Sequence, residues 1–224
     1  MQPVEYSGAV VAIVQAFNAR PPAAKVASYW SADEVNPVRK VIKDHYIGEQ
    51  QQRCCYCQHL LETNNNAVWD GEHVISREAK PQFMFEARNL AVACKDCNIA
   101  KREQNVLKNK DRITFPVKSS DYLIVHPHFD TYGDHLIWYG VVVAAASSDS
   151  AKGTATIGMC NLTRYSKQCG KLKGDIGDQR YRDRIGEFLM ARTQEDAAEI
   201  LAELQLQIGK LPKKDAGPAH NAAG

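Results

Sequence analysis

Two pairs of cysteines constrain this chain more than any other feature of its sequence. Cys54 and Cys57 form one CxxC pair, and Cys94 and Cys97 form a second after a gap of 36 residues, 58–93. Two such pairs can direct four sulfurs at one ion, which completes a closed tetrahedral zinc site of the structural kind. We therefore predict a zinc ion with these four ligands; a redox-active pair or incidental buried cysteines are the alternatives. Cys55 is the odd member of its triplet, because it lies too close to Cys57 to form such a pair with it.

The composition is that of an ordinary soluble globular protein. Of the 224 residues, 44% are hydrophobic and 24% are charged, which allows a substantial core. No apolar run approaches the roughly 20 residues that a membrane span needs, and no secretory signal precedes the first helix. Seven cysteines without an export signal indicate thiols in a reducing compartment. We expect a cytoplasmic protein that has no membrane partner.

The charge is weakly basic overall and unevenly distributed. The formal net charge is only +2, so the chain has no global signature of a nucleic-acid binder. Residues 95–118 nevertheless carry seven Lys and Arg against three Asp and Glu, and residues 162–187 carry seven against four. These two basic stretches are candidates for nucleic-acid contact. The alternative is that they are ordinary solvent-exposed surfaces.

The pattern of polar and apolar residues predicts an α+β fold. We expect four segments: N-terminal helices over 1–52, a zinc-braced core over 53–115, a β-then-helical extension over 116–210 and a disordered tail over 211–224. Two of the predicted strands, 56–61 and 68–75, are expected to pair as a hairpin. The other predicted elements are helices at 22–30, 36–52, 97–107, 163–172, 175–192 and 194–209, strands at 90–93, 121–126 and 135–146, a turn-rich stretch at 147–153 and a strand that enters a helix near 156–165.

Three short motifs lie between the two CxxC pairs or overlap the second pair. They are Asp70-Gly71-Glu72-His73-Val74-Ile75, then Asn89-Leu90, then Cys97-Asn98 followed by Lys101. Together with the two CxxC pairs, in this order, they resemble the HNH endonucleases of the ββα-metal superfamily. The resemblance covers about residues 53–108, roughly a quarter of the chain, and it implies a zinc-braced ββα-metal core.

The resemblance implies a nuclease that hydrolyses phosphodiester bonds with a divalent cation. His73 would take a proton from water, and its ordinary pKa of about 6.5 predicts activity that falls below about pH 6. Glu72 and Asn98 would bind the catalytic Mg²⁺ or Mn²⁺, because carboxylate and amide oxygens suit hard cations. Successive strand residues point to opposite faces, so a twist or bulge is expected at Glu72 and His73.

The remaining residues of the motifs would support this chemistry. Asn89 would hold the His73 ring in place, and Lys101 and Arg77 would contact phosphates. The sequence departs from the commoner pattern of the family in two places, with Glu72 in place of aspartate and Ser76 in place of proline. The third position of the motif is Asn98 rather than histidine, a variant that the family tolerates. Each residue also has an ordinary structural interpretation, namely an exposed strand pair at Glu72 and His73, a turn at Asn89 and a helix cap at Asn98.

Three more histidines, His126, His128 and His135, cluster in the sequence outside these motifs. They could be structural, line the rim of a substrate site or bind a second metal, and the sequence leaves their role open. Residues 121–130 and 156–165 resemble, more diffusely, HNH proteins of bacterial anti-phage systems, including the Septu-type subunit that acts beside an ATPase. That likeness implies a regulatory ATPase or sensor protein as a partner.

The leading hypothesis is therefore a DNA endonuclease that serves as the effector of an anti-phage system. The metal chemistry does not require deoxyribose, so an RNA endonuclease, for example one that cuts tRNA, is an alternative. A zinc-braced module that only binds nucleic acid or docks a partner is another.

Overall fold

A computed structural model of the chain describes residues 1–63, 65–147, 150–165, 184–185, 187–188, 190–191 and 193–208. The chain divides into two compact units, Met1–Lys171 and Leu172–Gly224. Among the described residues the fold is α+β, as predicted, with helices and two small antiparallel sheets. Most of the predicted helices at 175–192 and 163–172, and the whole predicted tail at 211–224, lie outside the described residues; the described residues 184–185, 187–188 and 190 are helical. No described helix has both the length and the apolar character needed to cross a bilayer.

The N-terminal segment is helical, and its longest helix packs onto the central strands. Helix α1 spans Ala9–Asn18 and helix α2 spans Asn36–Glu49, with Pro37 in its first turn. The predicted helix at 22–30 is a series of short 3₁₀ turns instead. Helix α2 ends three residues before the predicted position 52, because the backbone enters the left-handed region at Gln51 and Gln52. Its buried side chains recur at helical spacing, at Val38, Ile42 and Tyr46.

Two strands and a helix form the centre of the first unit. Strand β1, Trp69–His73, pairs antiparallel with strand β2, Leu90–Cys94, from Trp69 opposite Cys94 to His73 opposite Leu90. Helix α3, Lys95–Lys101, follows β2 directly and ends where Arg102 adopts a positive φ of 46°. The predicted continuation of this helix to residue 107 is therefore wrong. We call this arrangement the β1–β2–α3 unit.

The predicted hairpin between 56–61 and 68–75 is wrong. Residues 56–61 form a loop next to the cysteine cluster, and their segment makes only an isolated bridge, between Arg53 and Leu60. Strand β2 is buried at every position, so it is the better partner for β1. Gln50 helps to hold β2, because its amide accepts from Val92 N and donates to Val92 O, both at 2.8 Å.

The C-terminal part of the first unit adds a hairpin and a helix. Residues 135–146 contain two strands, β3 at Leu136–Tyr139 and β4 at Val142–Ala145, joined by a turn in which Gly140 has a φ of +61°. Residues 121–126, predicted as a strand, make only the bridge between Leu107 and Tyr122. Helix α4 spans Ala151–Met159. It includes the end of the predicted turn-rich stretch at 147–153 and the strand predicted near residue 156, so that strand prediction is wrong.

Helix α4 packs closely on the β3–β4 hairpin at Gly153. A Cβ atom at Gly153 would lie 2.1 Å from the carbonyl oxygen of His135, so only glycine permits this approach. In the second unit, helix α5 spans Gln194–Ile208, close to its predicted range of 194–209.

Candidate metal centre and active-site cleft

The four predicted cysteines come together in one buried cluster. Cys54 and Cys57 lie in the loop after α2, Cys94 ends β2, and Cys97 lies in the first turn of α3. All four sulfurs lie within 4.8 Å of one another, and Cys57 Sγ is 3.9 Å from Cys94 Sγ. A tetrahedral zinc ion with Zn–S bonds of about 2.3 Å separates its sulfurs by about 3.8 Å. The cluster could therefore hold a zinc ion.

Two residues that the sequence analysis missed contact these sulfurs. The Arg164 guanidinium donates to Cys97 Sγ at 3.1 Å and to Cys94 Sγ at 3.7 Å, and the Tyr165 hydroxyl donates to Cys57 Sγ at 3.4 Å. Donors of this kind offset the negative charge of thiolate ligands. They come from a segment about 70 positions after Cys94 in sequence, so spacing alone gives no signal of them.

The sulfurs also govern each other's protonation. Contact with the other sulfurs, Cys54 first, raises the pKa of Cys97 and lowers that of Cys94. A zinc ion would instead hold all four as thiolates. Burial raises the pKa of Cys55 and of Cys160, which keeps both as thiols outside the cluster.

A cleft of about 600 Å³ brings four other predicted residues together. Glu72, His73, Arg77 and Asn98 all line it, and we call it the His73 cleft. Strand β1 pairs with β2 without interruption, so the bulge expected at Glu72 and His73 is absent from this pairing. Both residues nevertheless line the cleft, since His73 is the last residue of the strand.

Glu72 and Lys101 form a buried ion pair beneath this cleft. Lys101 Nζ lies 2.7 Å from Glu72 Oε1, and the two side chains are 1% and 2% exposed. The Tyr56 hydroxyl donates to the same oxygen at 2.9 Å, and Lys101 also donates to the carbonyl of His73 at 3.0 Å. Burial raises the pKa of Glu72, while Lys101 acts against that shift. A side chain so deeply buried does not fit the phosphate contact that the sequence suggested for Lys101.

Asp70 is the carboxylate next to Asn98, and the sequence analysis missed it. Asn98 Nδ2 donates to Asp70 Oδ2 at 2.9 Å, and Lys95 Nζ lies 3.1 Å from Asp70 Oδ1. Asp70 and Glu72 stand two positions apart in β1, so both point towards α3. Asp70 therefore holds the Asn98 side chain through its amide nitrogen. The alternation of a strand, counted back from Glu72, was the signal that could have identified Asp70.

His73 is buried and held in one tautomer. Its Nε2 lies 3.0 Å from the carbonyl oxygen of Met84, which can only accept, so Nε2 carries the proton and Nδ1 the lone pair. Nδ1 is buried and has no hydrogen-bond partner among the described residues. The Trp30 ring packs edge-on against the imidazole at 4.5 Å. Burial first, and then Arg77, lowers the pKa of His73 to about 3. His73 is therefore neutral well below pH 6, and the expected loss of activity at that pH does not follow from this residue.

Asn89 acts on the backbone around His73 rather than on its ring. Its Oδ1 accepts from Ile75 N at 2.7 Å, and its Nδ2 donates to the carbonyls of Ile75 and Phe83 at 3.0 and 3.1 Å. These bonds hold the segment after His73 next to the segment that carries the Met84 carbonyl. Asn89 thus fixes the imidazole through its hydrogen-bond acceptor.

The histidines of the third cluster, His126, His128 and His135, belong to a network of hydrogen bonds and ionic contacts. His126 accepts from His128 N through Nδ1, His128 bonds the Leu90 carbonyl at 2.8 Å, and His135 lies 3.6 Å from Asp130. Asp130 also receives the Lys152 ammonium at 2.6 Å. Among the residues that the structure describes, only the four cysteines group closely enough to bind one ion through three or more His, Cys or carboxylate ligands.

Comparison with known proteins assigns no family to the chain. No family model matches this sequence, and no curated protein matches it. The residues themselves establish a four-cysteine cluster that could hold zinc, built on the same β1–β2–α3 unit as the His73 cleft.

Proposed function

We propose that this protein is a metal-dependent endonuclease of the HNH type, with DNA as its leading substrate. The observation that carries the proposal is the His73 cleft. It joins a neutral histidine that has an unpartnered buried nitrogen to a carboxylate and an amide, Glu72 and Asn98. The resemblance of the motifs between Cys54 and Lys101 to HNH endonucleases supports the same conclusion.

His73 is the general base of the proposed reaction. Its Nδ1 lone pair accepts a proton from the attacking water, while Nε2 keeps its own proton and donates it in a hydrogen bond to the Met84 carbonyl. The low pKa of His73 keeps this lone pair available throughout the physiological range. Trp30 packs against the ring and keeps it from rotating away from the cleft.

Two oxygen-bearing side chains of the His73 cleft would hold the divalent cation. Asn98 would bind it through its amide oxygen and Glu72 through Oε2, since Tyr56 and Lys101 both occupy Oε1. Asp70 would hold the Asn98 side chain in place, because its two oxygens accept from Asn98 and Lys95. Carboxylate and amide oxygens fit Mg²⁺ or Mn²⁺, which bind few protein ligands and keep several waters. A cation bound there supplies charge neutralisation to the phosphate and to the leaving oxygen. Lys101 is a positioning residue in this scheme, because it orients Glu72 and the His73 carbonyl.

Cleavage of defined substrates tests the proposal. Zinc-loaded protein is incubated with supercoiled plasmid and, separately, with total RNA, in Mg²⁺, in Mn²⁺ and without added divalent cation. Zinc is counted afterwards to show that the cysteine cluster is intact. Cation-dependent nicking of the plasmid is the expected result. Cleavage of RNA alone would change the substrate class, and binding without cleavage in every cation would favour the non-enzymatic zinc-braced module.

The proposed role in anti-phage defence, together with a regulatory ATPase or sensor as partner, rests on the sequence resemblance alone. It is tested by plaque counts on a bacterial host that expresses the protein with its neighbouring genes. We expect fewer plaques with the intact chain than with His73→Ala. Equal counts would leave the nuclease proposal in place and remove the defence role.

A further inference from the structure

A second cleft, of about 850 Å³, lies against the cysteine cluster, since Cys57 and Cys94 both line it. Its other walls include three aromatic rings, those of His59, Trp138 and Tyr165. The centre of the His59 ring lies 4.0 Å from that of Tyr165 and 4.7 Å from that of Trp138. We call it the aromatic cleft.

The polar atoms of the Trp138 and Tyr165 side chains form hydrogen bonds within the protein. Trp138 Nε1 donates to the Tyr132 hydroxyl at 3.0 Å, which in turn donates to the carbonyl of Tyr56 at 2.9 Å. The Tyr165 hydroxyl donates to Cys57 Sγ at 3.4 Å. Anchored in this way, the rings present apolar surface to the cleft in fixed orientations.

Two positively charged side chains line the aromatic cleft. Arg53 and Lys95 both line it and both are exposed, with 55% of the Lys95 side chain accessible. Asp96 is the acidic residue among those lining the cleft. A cleft with three aromatic rings and two accessible cations suits a flat ring that carries an anion, which is the chemistry of a nucleotide.

The aromatic cleft and the His73 cleft are linked through one carboxylate. Asp70 receives Lys95, which lines the aromatic cleft, and Asn98, which lines the His73 cleft. Lys95 and Asn98 lie about one turn apart on α3, a spacing of roughly 5 Å along the helix axis. One strand of nucleic acid could therefore occupy both clefts.

We propose that the aromatic cleft stacks an unpaired nucleobase of the substrate, next to the phosphate that is cut, with Arg53 and Lys95 on the flanking phosphates. This proposal rests on the proposed function in that the substrate is a nucleic acid. It makes the preferred substrate a strand with at least one unpaired base, such as a single-stranded segment or a bulge. Stacking on aromatic side chains accepts any base, so the preference concerns pairing rather than sequence.

Binding measured in the absence of cutting tests the proposal. Protein that carries His73→Ala is titrated with labelled oligonucleotides of one sequence, as single strand, as paired duplex and as duplex with one bulged base, each in DNA and in RNA form. His59→Ala is added to remove one ring, His59→Phe keeps a ring, and His45→Ala removes a histidine that lines neither cleft. Tryptophan emission is read in parallel, because Trp30 and Trp69 are 8% and 1% exposed while Trp138 lines the cleft.

We expect the single strand and the bulged duplex to bind more tightly than the paired duplex and to quench tryptophan emission. His59→Ala should weaken both by roughly fivefold to one hundredfold and leave paired duplex unchanged, since stacking is worth about 1–3 kcal/mol per base. His59→Phe and His45→Ala should bind like the parent protein. Equal affinity for all forms, or equal weakening of all forms by His59→Ala, would overturn the proposal.

The two proposals fail in different ways. If His59→Ala abolishes the preference for unpaired bases but wild-type protein cuts nothing, the aromatic cleft stands and the nuclease proposal does not. If wild-type protein cuts, and His59→Ala cuts single strands and duplexes in the wild-type ratio, the nuclease stands and the aromatic cleft is overturned.

Discussion

The cysteine cluster and the His73 cleft share the β1–β2–α3 unit, yet they assemble their side chains in different ways. Each cysteine pair is local in sequence, and the four sulfurs of the two pairs lie within 4.8 Å of one another. In the cleft, His73, Glu72 and Asn98 each have a hydrogen-bond partner from another segment of the chain. His73 depends on the Met84 carbonyl, and Glu72 depends on Tyr56 and Lys101.

This difference separates two kinds of dependence on the fold. The cysteine cluster would stabilise the fold itself, because one ion would link the loop after α2 to the end of β2 and the start of α3. The side chains of the cleft, in contrast, are oriented by hydrogen bonds from groups that belong to the core. Damage to the cluster should therefore disable both sites, while damage to the cleft should leave the cluster intact.

The largest expected effect breaks the cluster. Cys94→Ser should lose about one zinc per chain and yield insoluble or protease-sensitive protein, since structural zinc in small modules contributes on the order of 10 kcal/mol. Cys55→Ser is the matched control, because Cys55 is a buried thiol outside the cluster. It should keep its zinc. Metal analysis and limited proteolysis check both variants, and a stable, zinc-free Cys94→Ser protein would contradict the assignment.

The next effect removes the proposed base and leaves the cluster alone. His73→Ala should lower the cleavage rate by about 10²- to 10⁴-fold, the usual contribution of a general base. Zinc content and nucleic-acid affinity should stay near the wild-type values. His73→Asn guards against a cavity beside Trp30 and should cut equally poorly, while His45→Ala should cut normally. Wild-type rates for both His73 variants would place the reaction elsewhere.

A smaller effect concerns the buried ion pair. Lys101→Met leaves the Glu72 carboxylate buried without its cation, which typically costs about 3–5 kcal/mol of unfolding free energy. Lys95→Met on the same helix breaks an exposed pair with Asp70 and should cost about 0–1 kcal/mol. Urea unfolding measures both.

The double variant sharpens this test. Adding Glu72→Gln to Lys101→Met removes both charges and should recover part of the loss. The Lys101→Met variant should also keep the wild-type dependence of DNA binding on salt. A reduced salt dependence would instead restore the phosphate contact first expected of Lys101.

The smallest expected effect is a dependence of stability on pH. Burial holds the pKa of His126 well below its ordinary value, so the folded protein keeps it neutral while the unfolded chain protonates it below about pH 6.5. The stabilisation that His126 contributes is complete above that pH and is lost as the pH falls towards its folded pKa. His126→Phe keeps the stacking on Phe129 and should reduce the slope of unfolding free energy by up to about 1.4 kcal/mol per pH unit. An unchanged slope between pH 6.5 and 4.5 would show that His126 does not contribute.

The sequence by itself determined the features that depend on spacing along the chain. The two CxxC pairs predicted which four cysteines cluster, because the two residues inside each pair impose the geometry of a knuckle. Helical periodicity predicted α2 and α5 to within a few residues. The motifs around Glu72, His73 and Asn98 predicted residues that line one cleft.

Only the tertiary structure decided which groups contact one another over long separations. Lys101 was predicted to contact a phosphate because it follows Asn98 by about one helical turn, but in the structure its side chain is buried in an ion pair with Glu72. The same packing placed Asp70 beside Asn98, and it brought Arg164 and Tyr165 onto the sulfurs. Strand β1 paired with β2 rather than with the nearer segment 56–61, because the buried strand offers both a ladder and a core face. Such choices depend on burial and on competing partners, and neither can be counted along a sequence.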